Sequence, residues 1–271
     1  MWMINGRRGE WIDAADRGLQ YGDGLFETLA VSGGEPEFWD DHMHRLRQGC
    51  RRLAIPEPDF GLLRDEAVSL AAQGGARSVL KIIVTRGVGG RGYRPPKPPA
   101  PNRILSLHPF PAYPAQWYAK GVTARFCLHR LSDHPALAGL KHLNRLDQVL
   151  ARAEWEDEDI QEGVMLDQQG YVTEGVMSNI FIVSQDQLYT PELSHCGVAG
   201  VMRARVMRLA ETAGLVCREC RLTPEAMLQA DEAFFTNSII GVWPLHSLRQ
   251  RTYPKGPVTE LLQQLLALPR V

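Results

Sequence analysis

Eight of the chain's 18 prolines fall between Arg94 and Ala115, and no continuous sheet or helix can run through that stretch. Proline has no backbone N–H and a locked φ, so it is kept out of sheet centres and helix interiors. Residues 94–101 (RPPKPPAP) therefore read as an exposed loop and residues 108–115 (HPFPAYPA) as a linker, with one strand at 103–108 between them. This places a first domain over 1–108, a linker over 109–116 and a second domain over 117–271.

Hydrophobic periodicity gives an α/β pattern on both sides of that break. Strands are expected at 3–5, 24–31 and 78–85, the last rich in β-branched residues, with helices at 40–53 and 60–73. Beyond the linker the reading is a strand at 122–126, an amphipathic helix at 143–156 and a strand meander over 163–191. A helix at 201–213 ended by Gly214, a helix opened by Thr223-Pro224-Glu225, a strand at 233–236 and a helix at 259–267 complete it.

Charge narrows the function classes. Thirty Lys and Arg against 31 Asp and Glu leave a net charge of −1, so there is no basic field for nucleic acid. No apolar run is long enough for a bilayer span or shaped like a signal peptide. Five irregularly spaced cysteines do not form a disulfide framework, and the expectation is a cytoplasmic, reduced protein. Cys217 and Cys220 form a lone C-x-x-C, read as two structural thiols. His42 and His44 are two apart on a helix and do not converge, so no metal site is expected.

Several constellations carry chemistry. Lys141 follows the apolar approach Leu137-Ala138-Gly139-Leu140 and precedes a helix; desolvation there would free its amine for covalent catalysis, although a lysine before a helix is also an ordinary surface group. Glu174, at a strand end beside Gly175, can meet a buried cation or stand in water. Arg45 shares a helix face with His42 and offers a fork for phosphate or a surface ion pair. The turn before Val201 and Met202 opens a helix whose amides suit an anion, and Thr236-Asn237-Ser238 adds hydroxyl donors after a strand. Neither matches the Walker loop or the dinucleotide fingerprint. Residues 86–93 (RGVGGRGY) form a glycine-rich loop, either a cover for an anionic substrate or a mobile loop with solvated arginines.

Taken together, these pieces resemble the fold-type IV pyridoxal-phosphate (PLP) enzymes. The resemblance runs from Ile4-Asn5-Gly6 through residues 16–28 (DRGLQYGDGLFET), Arg45, Lys141, Glu174-Gly175, Asn179 and Gly200 to Trp243-Pro244-Leu245. Residues 137–146 and 86–93 resemble the aminodeoxychorismate lyases of that family more than its D-amino acid or branched-chain aminotransferases, the alternative reading. The resemblance implies an α/β fold in two domains (α+β N-terminal, α/β C-terminal) with the cofactor in the cleft between them, and a homodimer. It implies Lys141 as the covalent and catalytic residue and Glu174 on the pyridine nitrogen. Arg45, Val201, Met202 and Ser238 would hold the phosphate, with Asn237 beside it, and Thr28, Arg91 and Tyr93 would meet the substrate, 4-amino-4-deoxychorismate. Glu27 is an acidic residue of the kind the family's transaminases often carry.

Overall fold

The computed structural model describes residues 1–267. Two compact units divide the chain: Met1–Ala112 with Leu140–Asn144, and the rest, from Tyr113 to Gly139 and from Arg145 onward.

The first unit contains β1 (Trp2–Ile4), β2 (Arg7–Arg8), α1 (Arg17–Tyr21), β3 (Gly24–Ser32), β4 (Glu35–Pro36), α2 (Trp39–Leu53), α3 (Phe60–Ala71), β5 (Arg77–Thr85) and β6 (Asn102–Pro109). Its six strands form an antiparallel sheet in the order β2-β1-β6-β5-β3-β4. Along β5, Leu80, Ile82 and Val84 are buried at alternate positions, as a one-sided sheet requires. The helices pack on that sheet, α2 on β3 and α3 on β6. Asp59 caps α3 by accepting from the amides of Gly61 and Leu62.

The second unit contains α4 (Ala115–Ala119), β7 (Val122–Arg130), α5 (Leu146–Arg152), β8 (Glu162–Leu166), β9 (Val172–Gly175), β10 (Asn179–Ser184), β11 (Gln187–Pro191), α6 (Val201–Thr212), β12 (Cys217–Cys220), α7 (Pro224–Gln229), β13 (Glu232–Asn237), β14 (Gly241–Leu248), β15 (Arg251–Thr252) and α8 (Pro257–Ala267). Its nine-stranded sheet runs β12-β11-β10-β13-β14-β7-β8-β9, with β15 on β14. Three pairs are parallel, β11 with β12, β14 with β7, and β7 with β8. Both sheet faces are apolar. Phe234 stacks on Phe181 in one core layer at 5.1 Å, while its neighbour Phe235 joins Trp243 and Tyr253 in the other. Trp243 is the hub of that layer, with Tyr113, Trp117 and Tyr118 at 4.8, 5.2 and 6.3 Å.

Two features differ from the sequence reading. Residues 140–144 belong to the first unit, not to a continuous second domain over 117–271. Leu143 donates its amide to the Gly24 carbonyl, so it is held extended and the helix expected at 143–156 spans only Leu146–Arg152. The apolar face of that helix is not buried either: Leu146 and Leu150 are 73% and 54% exposed. Among the described residues all five cysteines are free, and no helix is long and apolar enough to cross a membrane.

Replacing Trp243 with alanine removes the hub of one core layer and should cost about 3–5 kcal/mol. Denaturant unfolding followed on the second unit checks this, and an unchanged midpoint would show that the aromatic cluster carries no such weight.

Candidate active site

The short β4 pairs with β3 only at Val31 and Ser32, which leaves the Gly24–Phe26 edge of β3 open. The Leu140–Asn144 segment fills it. Phe26 N donates to Lys141 O at 2.9 Å, Leu143 N donates to Gly24 O at 3.0 Å, and Leu25 bridges His142. Glycine is needed at position 24, because a Cβ there would stand 2.6 Å from the Val84 carbonyl and 2.7 Å from Leu143 Cδ1. Backbone pairing thus fixes Lys141, and its Nζ lies 4.3 Å from the centre of the Phe26 ring. Thr28 is two residues along the strand, so it shares the Phe26 face. Both Lys141 and Thr28 are half-buried.

The opposite face of β3 carries Glu27, which is 1% exposed. Arg45, from α2, forks onto both carboxylate oxygens, Nε at 2.8 Å from one and Nη2 on the other. His42 Nδ1 contacts the carboxylate at 2.6 Å. Burial would push the Glu27 carboxyl up, but the Arg45 charge and the hydrogen bonds from Arg45 and His42 outweigh it and hold it at about 2. The acidic residue at this position therefore anchors Arg45. Position alone did not reveal this partnership, since Glu27 and Arg45 are distant in sequence.

In residues 86–93 the two arginines have different fates. Arg86 is buried, donating to Asp23 and to the carbonyls of Leu53 and Ala54, so it is a structural residue and not a solvated one. Arg91 and Tyr93 are exposed.

In the second unit, Glu174 is the penultimate residue of β9 and is 4% exposed. Its Oε2 accepts from Val198 N at 2.7 Å and its Oε1 from Gln148 Nε2 at 3.1 Å, and its charge acts on the nearby Arg145 guanidinium. Glu174 is thus not a strand-edge carboxylate in water. Gln148 carries no recognisable signal in the sequence, whereas Arg145 lies in the 137–146 stretch that carries the resemblance.

Asn179 draws the two anion-friendly turns together. Its backbone pairs with Thr236, directly before Asn237 and Ser238, and its Nδ2 donates to Val198 O at 2.8 Å. Its Oδ1 occupies the space that a Cβ on Gly200 would need. Gly200 is the N-cap of α6 and makes no side-chain cap hydrogen bond, so the first-turn amides of Val201 and Met202 suit an anion. Asn237 accepts from the amides of Ile239 and Ile240 and donates to Met177 O, so its side chain shapes the turn that presents Ser238. The turn at 175–178, after Glu174, is gripped from the other side by Glu162, which accepts from Ser178 Oγ at 2.7 Å and from the amides of Gly163 and Val176 at 2.9 and 3.1 Å.

Comparison with known proteins extends this picture. The family described as amino-transferase class IV matches residues 24–248. An aminodeoxychorismate lyase of Vibrio harveyi is 36% identical, over 97% of this chain and 98% of its own length. The crystal structure of a 4-amino-4-deoxychorismate lyase from Pseudomonas aeruginosa superposes with a TM-score of 0.95 at 48% identity, covering 98% of each chain. The Escherichia coli branched-chain amino acid aminotransferase shares the fold, with a TM-score of 0.88 at 24% identity over 98% of this chain and 92% of its own.

Glu27 carries a pH signature that tests its role. Its carboxyl titrates at 4.5 when unperturbed and at about 2 when folded, so its contribution to stability is present above 4.5 and lost as the pH falls through 2. Glu27→Gln should cost about 3–5 kcal/mol at neutral pH, as expected when one partner of a buried pair is removed. The gap from wild type should close in acid. A gap that stays constant from neutral pH into acid would refute the ion-pair account.

Proposed function

The chain belongs to the amino-transferase class IV family, and from that premise we propose that it is a PLP-dependent lyase converting 4-amino-4-deoxychorismate into 4-aminobenzoate and pyruvate. The observation that carries the reading is Lys141, an amine fixed by backbone pairing and set beside Phe26. The likeness of nearly the whole chain to lyases, at higher identity than to the aminotransferase, favours elimination over amino transfer.

Each unit carries donors that fit the cofactor: the first an amine at Lys141, the second a buried carboxylate at Glu174 and an uncapped helix start at Val201 and Met202. Bound PLP supplies an electron sink for the carbanion left when an amine-bearing carbon loses its proton. Lys141 Nζ would hold the cofactor, and its freed amine would serve as the base. Glu174 would hold the cofactor's protonated nitrogen, its own orientation fixed by the bonds from Val198 and Gln148. Arg45, the amides of Val201 and Met202, and Ser238 are assigned to the phosphate, with Asn237 holding their turn. Thr28, Arg91 and Tyr93 are assigned to the substrate. Departure of the enolpyruvyl group leaves an aromatic ring, which makes the reaction strongly downhill.

The reading includes a homodimer in the cytoplasm. Leu128, Leu146, Val149 and Leu150 of the second unit are 81%, 73%, 58% and 54% exposed, an apolar surface that suits a second copy of the chain. The free cysteines suit a reducing compartment.

Purified protein mixed with PLP and 4-amino-4-deoxychorismate should release fluorescent 4-aminobenzoate, and Lys141→Ala should lower the rate by about a thousandfold or more. Amino transfer from D-alanine or leucine to 2-oxoglutarate, with no 4-aminobenzoate, would move the protein to the aminotransferases. For the dimer, Leu146→Glu with Leu150→Glu should sediment as a monomer where wild type sediments as a dimer, and two identical profiles would remove this surface from the interface.

A further inference from the structure

The glycine-rich loop at residues 86–93 is laced to the segment that precedes β3. Arg17 lies at the centre of the lacing and is 4% exposed. Its amide donates to Gly87 O at 3.0 Å, its Nη1 to Gly92 O at 3.1 Å and its Nη2 to Tyr93 O at 3.0 Å. Its Nε pairs with Asp23 at 2.8 Å, on the same carboxylate oxygen that Arg86 Nε reaches at 2.7 Å. The guanidinium also lies 4.9 Å from the centre of the Tyr21 ring, and Tyr21 packs on Tyr93 at 5.5 Å. Further along the loop Gly89 N donates to Ala15 O, and Asp16 bridges Val88.

Asp16 secures the other side of this arrangement. One of its oxygens caps α1 through the amides of Gly18 and Leu19. The other accepts from Thr85 Oγ1 and Asn102 Nδ2, both at 2.7 Å, at the ends of the strands that flank the loop. Gly92 adopts a φ of +88°, a conformation that directs the chain without a side-chain penalty.

We infer that Arg17 is a positioning residue for substrate, holding the 86–93 loop in the form that presents Arg91 and Tyr93. The inference rests on the reading that this loop meets an anionic substrate. Its content is that the loop is pre-set, so binding affinity depends on a buried residue that touches no substrate. Only a planar fork serves here. Arg17 bonds two successive carbonyls and a carboxylate at once, whereas a lysine ammonium keeps the charge opposite Asp23 but not the geometry. The cost of lost preorganisation falls on binding and not on the chemical step.

The experiment compares wild-type holoenzyme with Arg17→Lys and, because Arg17 is buried, with Gly89→Ala. A Cβ on Gly89 would stand 2.9 Å from Arg17 Cδ and disturb the lacing at a position with no positive φ. Each variant should raise KM for 4-amino-4-deoxychorismate about tenfold with kcat within about twofold, and should leave PLP absorbance unchanged. Trypsin should cut the Arg91–Gly92 bond about tenfold faster in both variants, since cleavage follows the population of the opened loop. Unchanged cleavage, or faster cleavage with an unchanged KM, overturns the inference. Arg91→Ala separates the two layers: an unchanged KM there counts against Arg91 as a substrate contact, while the Arg17 variants are still judged by their own KM. If wild type releases no 4-aminobenzoate, the lyase reading fails, and cleavage alone decides whether Arg17 holds the loop.

Discussion

The open edge of β3 is the constraint on which the first unit depends. A strand edge exposes unpaired N–H and C=O groups that must be covered or paired. Here β4 covers only two residues, and the chain returns at Leu140–Asn144 to pair with the remainder. That solution places Lys141 by main-chain hydrogen bonds, so its position does not rely on its own flexible side chain. Strand alternation then sorts the neighbours. Phe26 and Thr28 go with the lysine, and Glu27 goes with His42 and Arg45 under α2. One nine-residue strand thus supplies both an amine-bearing face and an ion-paired face.

The second unit solves a different problem, how to bury acceptors without leaving them unpaired. A buried polar atom without a partner costs about 1–3 kcal/mol. The buried carboxylates of Glu232, Glu174 and Glu162 are each matched to backbone donors at a place where the chain turns. Glu232 takes the first amides of α8, Val258 and Thr259, at 3.1 and 2.8 Å. Glu174 takes Val198, Glu162 takes Gly163 and Val176, and Asn179 sits against Gly200. The candidate site residues therefore stand on turns held by their polar neighbours, which is how a site on loops reaches the precision of one on strands.

Much of this was legible in the sequence because it depends on local pattern. The run SVLKIIVT reads as β5, the acidic pair Asp40-Asp41 marks the start of α2, and Thr223-Pro224 marks α7. The lysine, the glutamate and the helix start at Val201 could be named from residue type and neighbours. What stayed hidden depends on long-range pairing. Nothing near Lys141 announces that residues 140–144 join β3, more than a hundred positions away, so the helix was extended to Leu143. The central strand β14 is absent from the sequence reading; it tolerates Pro244 because the ladder to β7 begins only at Leu245. The partnership of Glu27 with Arg45 and the buried state of Arg86 likewise join residues that only the fold brings together.

Glu27 and Glu162 show how surroundings decide the behaviour of one residue type. Both are 1% exposed. Glu27 faces a guanidinium and is held low, whereas Glu162 faces only neutral donors, and burial prevails over them to push its carboxyl up to about 7. The signs of the linkage are opposite. The Glu162 contribution is present below the unperturbed value of 4.5 and is lost as the pH rises through about 7. Hydrogen bonding explains why the turn tolerates either form. Oε1 accepts from two amides, Gly163 N and Val176 N, so it must remain an acceptor and the proton belongs on Oε2. There it meets Ser178 Oγ, a hydroxyl that donates to the carboxylate and can accept from the acid. A proton on Oε2 thus reverses the Ser178 hydrogen bond and leaves those from Gly163 and Val176 to Oε1 in place.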